Sequence, residues 1–294
     1  MGIEIPWLDV RKAVESAPVP LDFVLPGFKA GTVGALVSPG ATGKTMLALE
    51  LAVTVASGAD LLDLASMDRQ WQQIIGPVVF LTGEDPSDVL NGRFHSIGLQ
   101  LSQEHLELIY SNLFVAPVAG FNADIMNGDW RVWIESVSKG ARLVIIDTLR
   151  RFHHLDENDG SHMAGLLGYM EQLCRINGTS VLFLHHTSKA GASNGGDFQQ
   201  ASRGSSVLTD NARFQANLIA MGISEADKFG IDQELRRNFV RWSFPKLNYS
   251  SPIPDRWYQR HEGGVLKPAV LNLAAKTNGT LPFRRAKVGS RDEL

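Results

Sequence analysis

The segment from Thr32 to Ser57, TVGALVSPGATGKTMLALELAVTVAS, constrains this chain more than any other. An uninterrupted apolar run leads into a short loop of small residues and then into a helix-forming run. Apolar residues without polar alternation predict a strand covered on both faces, as in a parallel sheet flanked by helices. The loop Ser38–Thr45, SPGATGKT, falls at the strand–helix junction, where backbone N–H groups and the helix dipole favour an anion. In such a loop Lys44 supplies a mobile charge for β- and γ-phosphates, and the Thr45 hydroxyl a ligand for Mg²⁺. The usual pattern begins with glycine, but position 38 is Ser. Glycine is required there only if φ is positive. Pro39 has no N–H, so the cradle is expected from Gly40, Ala41, Thr42, Gly43, Lys44 and Thr45, with Gly40 and Gly43 giving the tight curl.

The same alternation of apolar runs and helical stretches continues along the chain. Strands are predicted at 32–37, 78–82, 113–117, 143–146 and 181–184, each apolar almost throughout. Helices are predicted at 44–57, 87–97, 129–138 and 162–176, followed by strands at 214–220 and 239–244 and a hairpin through 257–267. The pattern predicts an α/β fold: a mostly parallel central sheet flanked by helices, with a C-terminal antiparallel extension. Residues 29–275 are read as this nucleotide-binding domain. Residues 1–28, with Trp7, Leu8, Val10 and Val14, are read as an N-terminal arm that docks on a neighbouring subunit or folds on its own domain. Residues 187–206 read as a long polar loop, and residues 276–294 as a basic, disordered tail, with nucleic-acid contact as the alternative.

Composition narrows the partners. The chain has 294 residues and a formal net charge of −3, so no global basic field is available to hold nucleic acid. Any grip on DNA has to be local, or assembled from several subunits. The only cysteine, Cys174, permits no internal disulfide and is read as a small buried hydrophobe in a reducing cytoplasm. No apolar run approaches the ~18 residues of a membrane span. With no signal-peptide pattern at the N-terminus, the Arg-Asp-Glu-Leu ending is read as chance and a cytoplasmic location is expected.

Acidic and imidazole residues close three more apolar runs. Asp147 ends LVIID, the expected position of the metal-side acid. Glu84 follows VVFLTG on a strand expected beside the phosphate loop, where a carboxylate can polarise water. Asp85, before Pro86, is a supporting residue or a helix cap. His185 and His186 end VLFLHH; a γ-phosphate contact, a metal site and a structural pair are the alternatives. All of these positions lie beyond the carboxyl ends of strands, where open α/β sheets bind ligands. Together they predict nucleoside-triphosphate hydrolysis.

The constellation resembles the RecA-like ATPase core. Through LVSPGATGKTMLALELA, IIDTLRRFH, LFLHHTSKA, QQASRGSSVLTDN and GGVLKPAV it is similar to the hexameric replicative DNA helicases of broad-host-range mobilisable plasmids, the RepA helicase family. The likeness runs from about Pro18 to Val270. It implies ATP and Mg²⁺ as cofactors, a homohexameric ring with ATP sites between subunits, and 5′ to 3′ movement on single-stranded DNA. It also implies a separate primase and a separate origin-binding initiator. By motif, Lys44 and Thr45 bind phosphates and Mg²⁺, Glu84 is the catalytic carboxylate, Asp147 the metal-side acid, His186 the γ-phosphate sensor and Arg213 the arginine finger. Arg203 competes for the finger role and, with Lys189, is a DNA-contact candidate; a lid without DNA contact is the alternative for that loop. The segment Ser66–Ile75 is longer than the family's corresponding turn. Two other classes stay open: a RecA-like regulatory or maintenance ATPase that binds DNA without unwinding it, and a small-molecule P-loop kinase.

Overall fold

The computed structural model describes residue 5, residues 7–186 and residues 206–274. In chain order the strands are β1 (Phe23–Leu25), β2 (Phe28–Lys29), β3 (Val33–Ser38), β4 (Val78–Thr82), β5 (Leu113–Pro117), β6 (Leu143–Asp147), β7 (Ser180–His186), β8 (Phe214–Ala220), β9 (Phe239–Leu247), β10 (Arg256–Arg260) and β11 (Leu266–Pro268). The helices are α1 (Val10–Glu15), α2 (Lys44–Ser57), α3 (Ser87–Gly98), α4 (Gln103–Asn112), α5 (Gly128–Val137), α6 (Gly160–Asn177), α7 (Ser206–Asn211) and α8 (Ile223–Phe229). β1 and β2 pair with each other, and the remaining strands form one nine-stranded sheet in the order β11-β10-β9-β8-β3-β7-β6-β4-β5.

From β8 to β5 the neighbours run parallel, whereas β9, β10 and β11 are antiparallel, as the chain pattern predicts. β3, β4 and β6 are buried at every position, because helices cover both faces. Alternate side chains feed two cores. Phe80, Ile145 and Leu182 join Leu47 and Leu51 of α2 on one side; Val79, Val144 and Phe183 join Leu166 and Met170 of α6 on the other. β5 departs from expectation: as the edge strand it is covered only in part, and Phe114 is exposed. Helix α4 adds to the pattern read from the chain; its apolar stripe is short, and no residue of it is fully buried.

The N-terminal 28 residues divide. Val24, Leu25 and Phe28 enter the domain's own core, so a boundary after residue 28 cuts through β2. Before them, α1 buries no residue and Trp7 is 96% exposed. The extra segment at Ser66–Ile75 folds on its own domain: Met67 and Trp71 are buried, and the Trp71 indole donates to the Phe23 carbonyl at 3.0 Å. Cys174 is buried too, and burial pushes its thiol up to about 12.

One charged group lies deep in the packing of α2. Glu50 is fully buried; its Oε1 accepts a hydrogen bond from the Leu266 N–H at 2.9 Å, and its Oε2 has no hydrogen-bond partner among the described residues. Burial pushes this carboxyl from its ordinary 4.5 up to about 8. The folded state therefore keeps a proton that the unfolded chain releases between pH 4.5 and 8, and stability falls as pH rises through that window. Glu50→Gln keeps the acceptor without the charge. Its melting temperature should match wild type below pH 4.5, gain on it up to pH 8 and hold a constant lead above, as read by thermal melts at several pH values.

Candidate active site

The loop between β3 and α2 is curled at one position that the glycine pattern indicates, Gly43, and at one that it does not, Ala41. Positive φ occurs at Ala41 (62°) and Gly43 (96°), whereas Gly40 has none, and a Cβ placed on Gly40 would meet nothing within 4 Å. The expectation for Gly40 is thus corrected, and a left-handed alanine at 41 carries a cost of about 1 kcal/mol. Ser38 is not left-handed, so glycine is not required there. Its side chain has work of its own: the Lys44 ammonium donates to the Ser38 carbonyl and hydroxyl, both at 3.3 Å. The Thr42 hydroxyl closes the turn by donating to the Pro39 carbonyl at 2.9 Å.

Lys44 is 5% exposed, and burial lowers its pKa to about 8 despite the attraction of Asp147 and Glu84. Its third contact is the His186 Nδ1 at 3.0 Å. An ammonium can only donate, so Nδ1 accepts and the ring proton resides on Nε2. That nitrogen faces the Glu84 Oε1 at 3.5 Å. Burial, followed by the Lys44 charge, holds His186 below its ordinary pKa, consistent with the neutral tautomer. His185 points into the packed interior, where burial lowers it to about 4.

Glu84 reaches this point from an unexpected direction. β4 is not beside β3; β7 and β6 lie between them. The register still brings the strand ends level, with Ser38 opposite His186 and Thr82 opposite Asp147. Glu84 is held by the Thr148 hydroxyl, which donates to its Oε1 at 3.0 Å, and the Arg151 Nε lies 3.8 Å from the same oxygen. Asp85 does not cap α3; it forms an ion pair with Arg93 at 2.9 Å and so ties the Glu84 loop to that helix.

Asp147 is fully buried, and among the described residues neither carboxylate oxygen has a well-aligned hydrogen-bond donor. Burial, opposed by the Thr45 hydroxyl and reinforced by the charge of Glu84, pushes it up to about 7. Arg213 is not part of this cluster. It precedes β8, whose first residue Phe214 pairs with Gly34 near the start of β3, whereas the phosphate loop follows the end of β3. Lys189 and Arg203 lie outside the described residues.

Comparison with known proteins places this geometry. A family model described as an AAA domain matches residues 4–192. The chain belongs to the AAA domain family. Among solved structures, the ATPase domain of G40P superposes with a TM-score of 0.59 at 16% identity, over 89% of this chain and 96% of that one. A DnaB-like replicative helicase, described with its interactions with primase, gives the same score and identity over 88% of this chain and 66% of that one. The fold is therefore the RecA-like ATPase fold of DnaB-like helicases.

Within the AAA domain the residues present suit a divalent cation bound together with a nucleotide. Thr45 offers a hydroxyl in the first turn of α2, and Asp147 offers two buried oxygens with no well-aligned donor among the described residues. Among the described residues no group of three or more His, Cys, Asp and Glu side chains is arranged to hold a metal, so the ion's remaining ligands would be phosphate oxygens and water. Three contributors escaped the sequence: Thr148, Arg151 and Arg260. The Arg260 guanidinium on β10 donates to the Thr42 carbonyl at 2.8 Å, and nothing local marks a residue that returns from 218 positions away.

The loop geometry separates its glycines. A Cβ on Gly43 would lie 3.1 Å from the Arg260 Nη2 on a backbone with φ of 96°. Gly43→Ala should weaken binding of a fluorescent ATP analogue at least about tenfold, while Gly40→Ala stays within about twofold, both measured by titration.

Proposed function

We propose that this AAA domain protein is an ATP-dependent replicative DNA helicase. It is a homohexameric ring with ATP sites between subunits, moving 5′ to 3′ on single-stranded DNA in the service of a plasmid-type replicon. The observation that carries the reading is the unbroken line from Lys44 through His186 to Glu84 at the end of the sheet. The likeness in fold to the ATPase domain of G40P and to a DnaB-like replicative helicase supports it. A primase and an origin-binding initiator would be separate proteins, and the cytoplasm the place of action.

Hydrolysis follows from the side chains in hand. When ATP arrives, the Lys44 ammonium turns from Ser38 and His186 to the β- and γ-phosphates. Mg²⁺, held near Thr45 and Asp147, would neutralise phosphate charge. Glu84, steadied by Thr148, orients the attacking water and draws on its proton. His186, freed from Lys44, can follow the γ-phosphate while its Nε2 keeps contact with Glu84, so loss of phosphate is felt at the strand that leads into residues 187–205. The far-edge position of Arg213 supports a role in a neighbour's site, where an arginine finger adds on the order of 10³–10⁵ in rate. The exposed apolar residues Trp7, Leu8, Val10 and Val14 support docking of the arm on that neighbour.

Displacement of an oligonucleotide from tailed duplexes tests the proposal. Wild-type protein should unwind the 5′-tailed substrate with ATP, Lys44→Ala should not, and Glu84→Gln should lose about 10²–10⁴ in ATPase rate. ATPase stimulated by DNA without displacement from either tail would make the protein a DNA-stimulated regulatory ATPase instead. Mixing Arg213→Ala with Lys44→Ala subunits should restore more activity than either variant shows alone. A mixture no better than its components would remove Arg213 from the neighbour's site.

A further inference from the structure

Next to Glu84 lies a cleft of about 570 Å³ that no residue of the phosphate loop lines. Its wall includes Glu84, Asn122, Arg150, Arg151, His154 and His186. The two arginines belong to the 3₁₀ turn Leu149–Phe152 that follows β6, and the burial of Leu149 and Phe152 fixes that turn. Arg151 is seated with unusual closeness: a Cβ on Gly83 would fall 2.5 Å from the Arg151 Cβ. The stem is thus held beside the Glu84 loop, while the Arg151 side chain as a whole remains 63% exposed.

Both arginines hold carboxylates poorly. Arg151 Nε is 3.8 Å from Glu84 Oε1, and Arg150 Nε is 3.5 Å from Glu157 Oε1, each a single contact outside good hydrogen-bond distance. Exposed pairs of this kind bias a population by no more than about fivefold. A phosphate offers the same guanidinium a two-pronged contact with full hydrogen bonds. The cleft also contains the buried His153, whose Nδ1 has no hydrogen-bond partner among the described residues.

We infer that this cleft binds the phosphodiester backbone of single-stranded DNA, and that Arg151 couples this binding to hydrolysis by exchanging the Glu84 carboxylate for a phosphate. The inference rests on the nucleic-acid reading proposed above and names its control point. With no DNA bound, Arg151 draws Glu84 towards the cleft and competes with the water that Glu84 must orient. With DNA bound, Arg151 and Arg150 engage successive phosphates, Glu157 is released to solvent, and Glu84 keeps only Thr148 and His186. Arg151 is a positioning residue, since it acts on the reaction through Glu84.

The test compares ATPase of wild type, Arg151→Ala and Arg151→Gln with and without oligo(dT), after thermal melts confirm that each variant is folded. Both variants should show a DNA-free rate raised by up to about fivefold and little further stimulation by oligo(dT). The slope of log affinity against log salt should fall by about one in each. Arg150→Ala should raise the oligo(dT) concentration for half-stimulation roughly tenfold. A wild type stimulated by oligo(dT), with Arg151 variants that match it in basal rate, stimulation and salt slope, would overturn this inference and leave the proposed activity standing. A wild type that neither binds nor responds to oligo(dT) would overturn both.

Discussion

A buried ammonium with only neutral partners sets the character of this protein. Lys44 donates to Ser38 and His186 and, among the described residues, forms no ion pair. Asp147 is its counterpart, a buried acid whose oxygens have no donor of good geometry among the described residues. Burial moves the two in opposite senses, Lys44 down to about 8 and Asp147 up to about 7. A metal–nucleotide would suit both groups, with phosphate oxygens for the ammonium and a cation for the carboxylate.

The rest of the fold holds that pair in place. Two apolar cores clamp β3, β7, β6 and β4, so that their polar terminal residues emerge level at one edge. The antiparallel extension then returns to the loop it faces. Arg260 holds the Thr42 carbonyl, and the Leu266 N–H is bonded to Glu50 inside α2. The phosphate loop and its helix are thus fastened to the C-terminal hairpin at two points.

Much of the site was legible because its residues end long apolar runs. A run such as LVII can only be interior, and the first charged residue after it falls at the sheet's end. That logic finds Asp147, His186 and Glu84 without coordinates. It misplaces β4 next to β3, since chain order does not carry spatial order in a parallel sheet. It also assigns the loop's curl to Gly40 and Gly43, where closure of the loop puts it at Ala41 and Gly43. The edge exposure of β5 was hidden for the same reason: an apolar strand reads alike whether one neighbour or two will cover it.

Chain pattern by itself determined the α/β architecture, the phosphate loop and the acids and histidine that could serve it, because periodicity and terminal polarity are local properties. Tertiary structure decided which of them meet. Only folding brings Lys44 against His186, sets Arg151 over Glu84 through the close approach at Gly83, and leaves Arg213 at the opposite end of the sheet. These depend on strand order, register and the packing of a turn, which are set by contacts between residues distant in the chain.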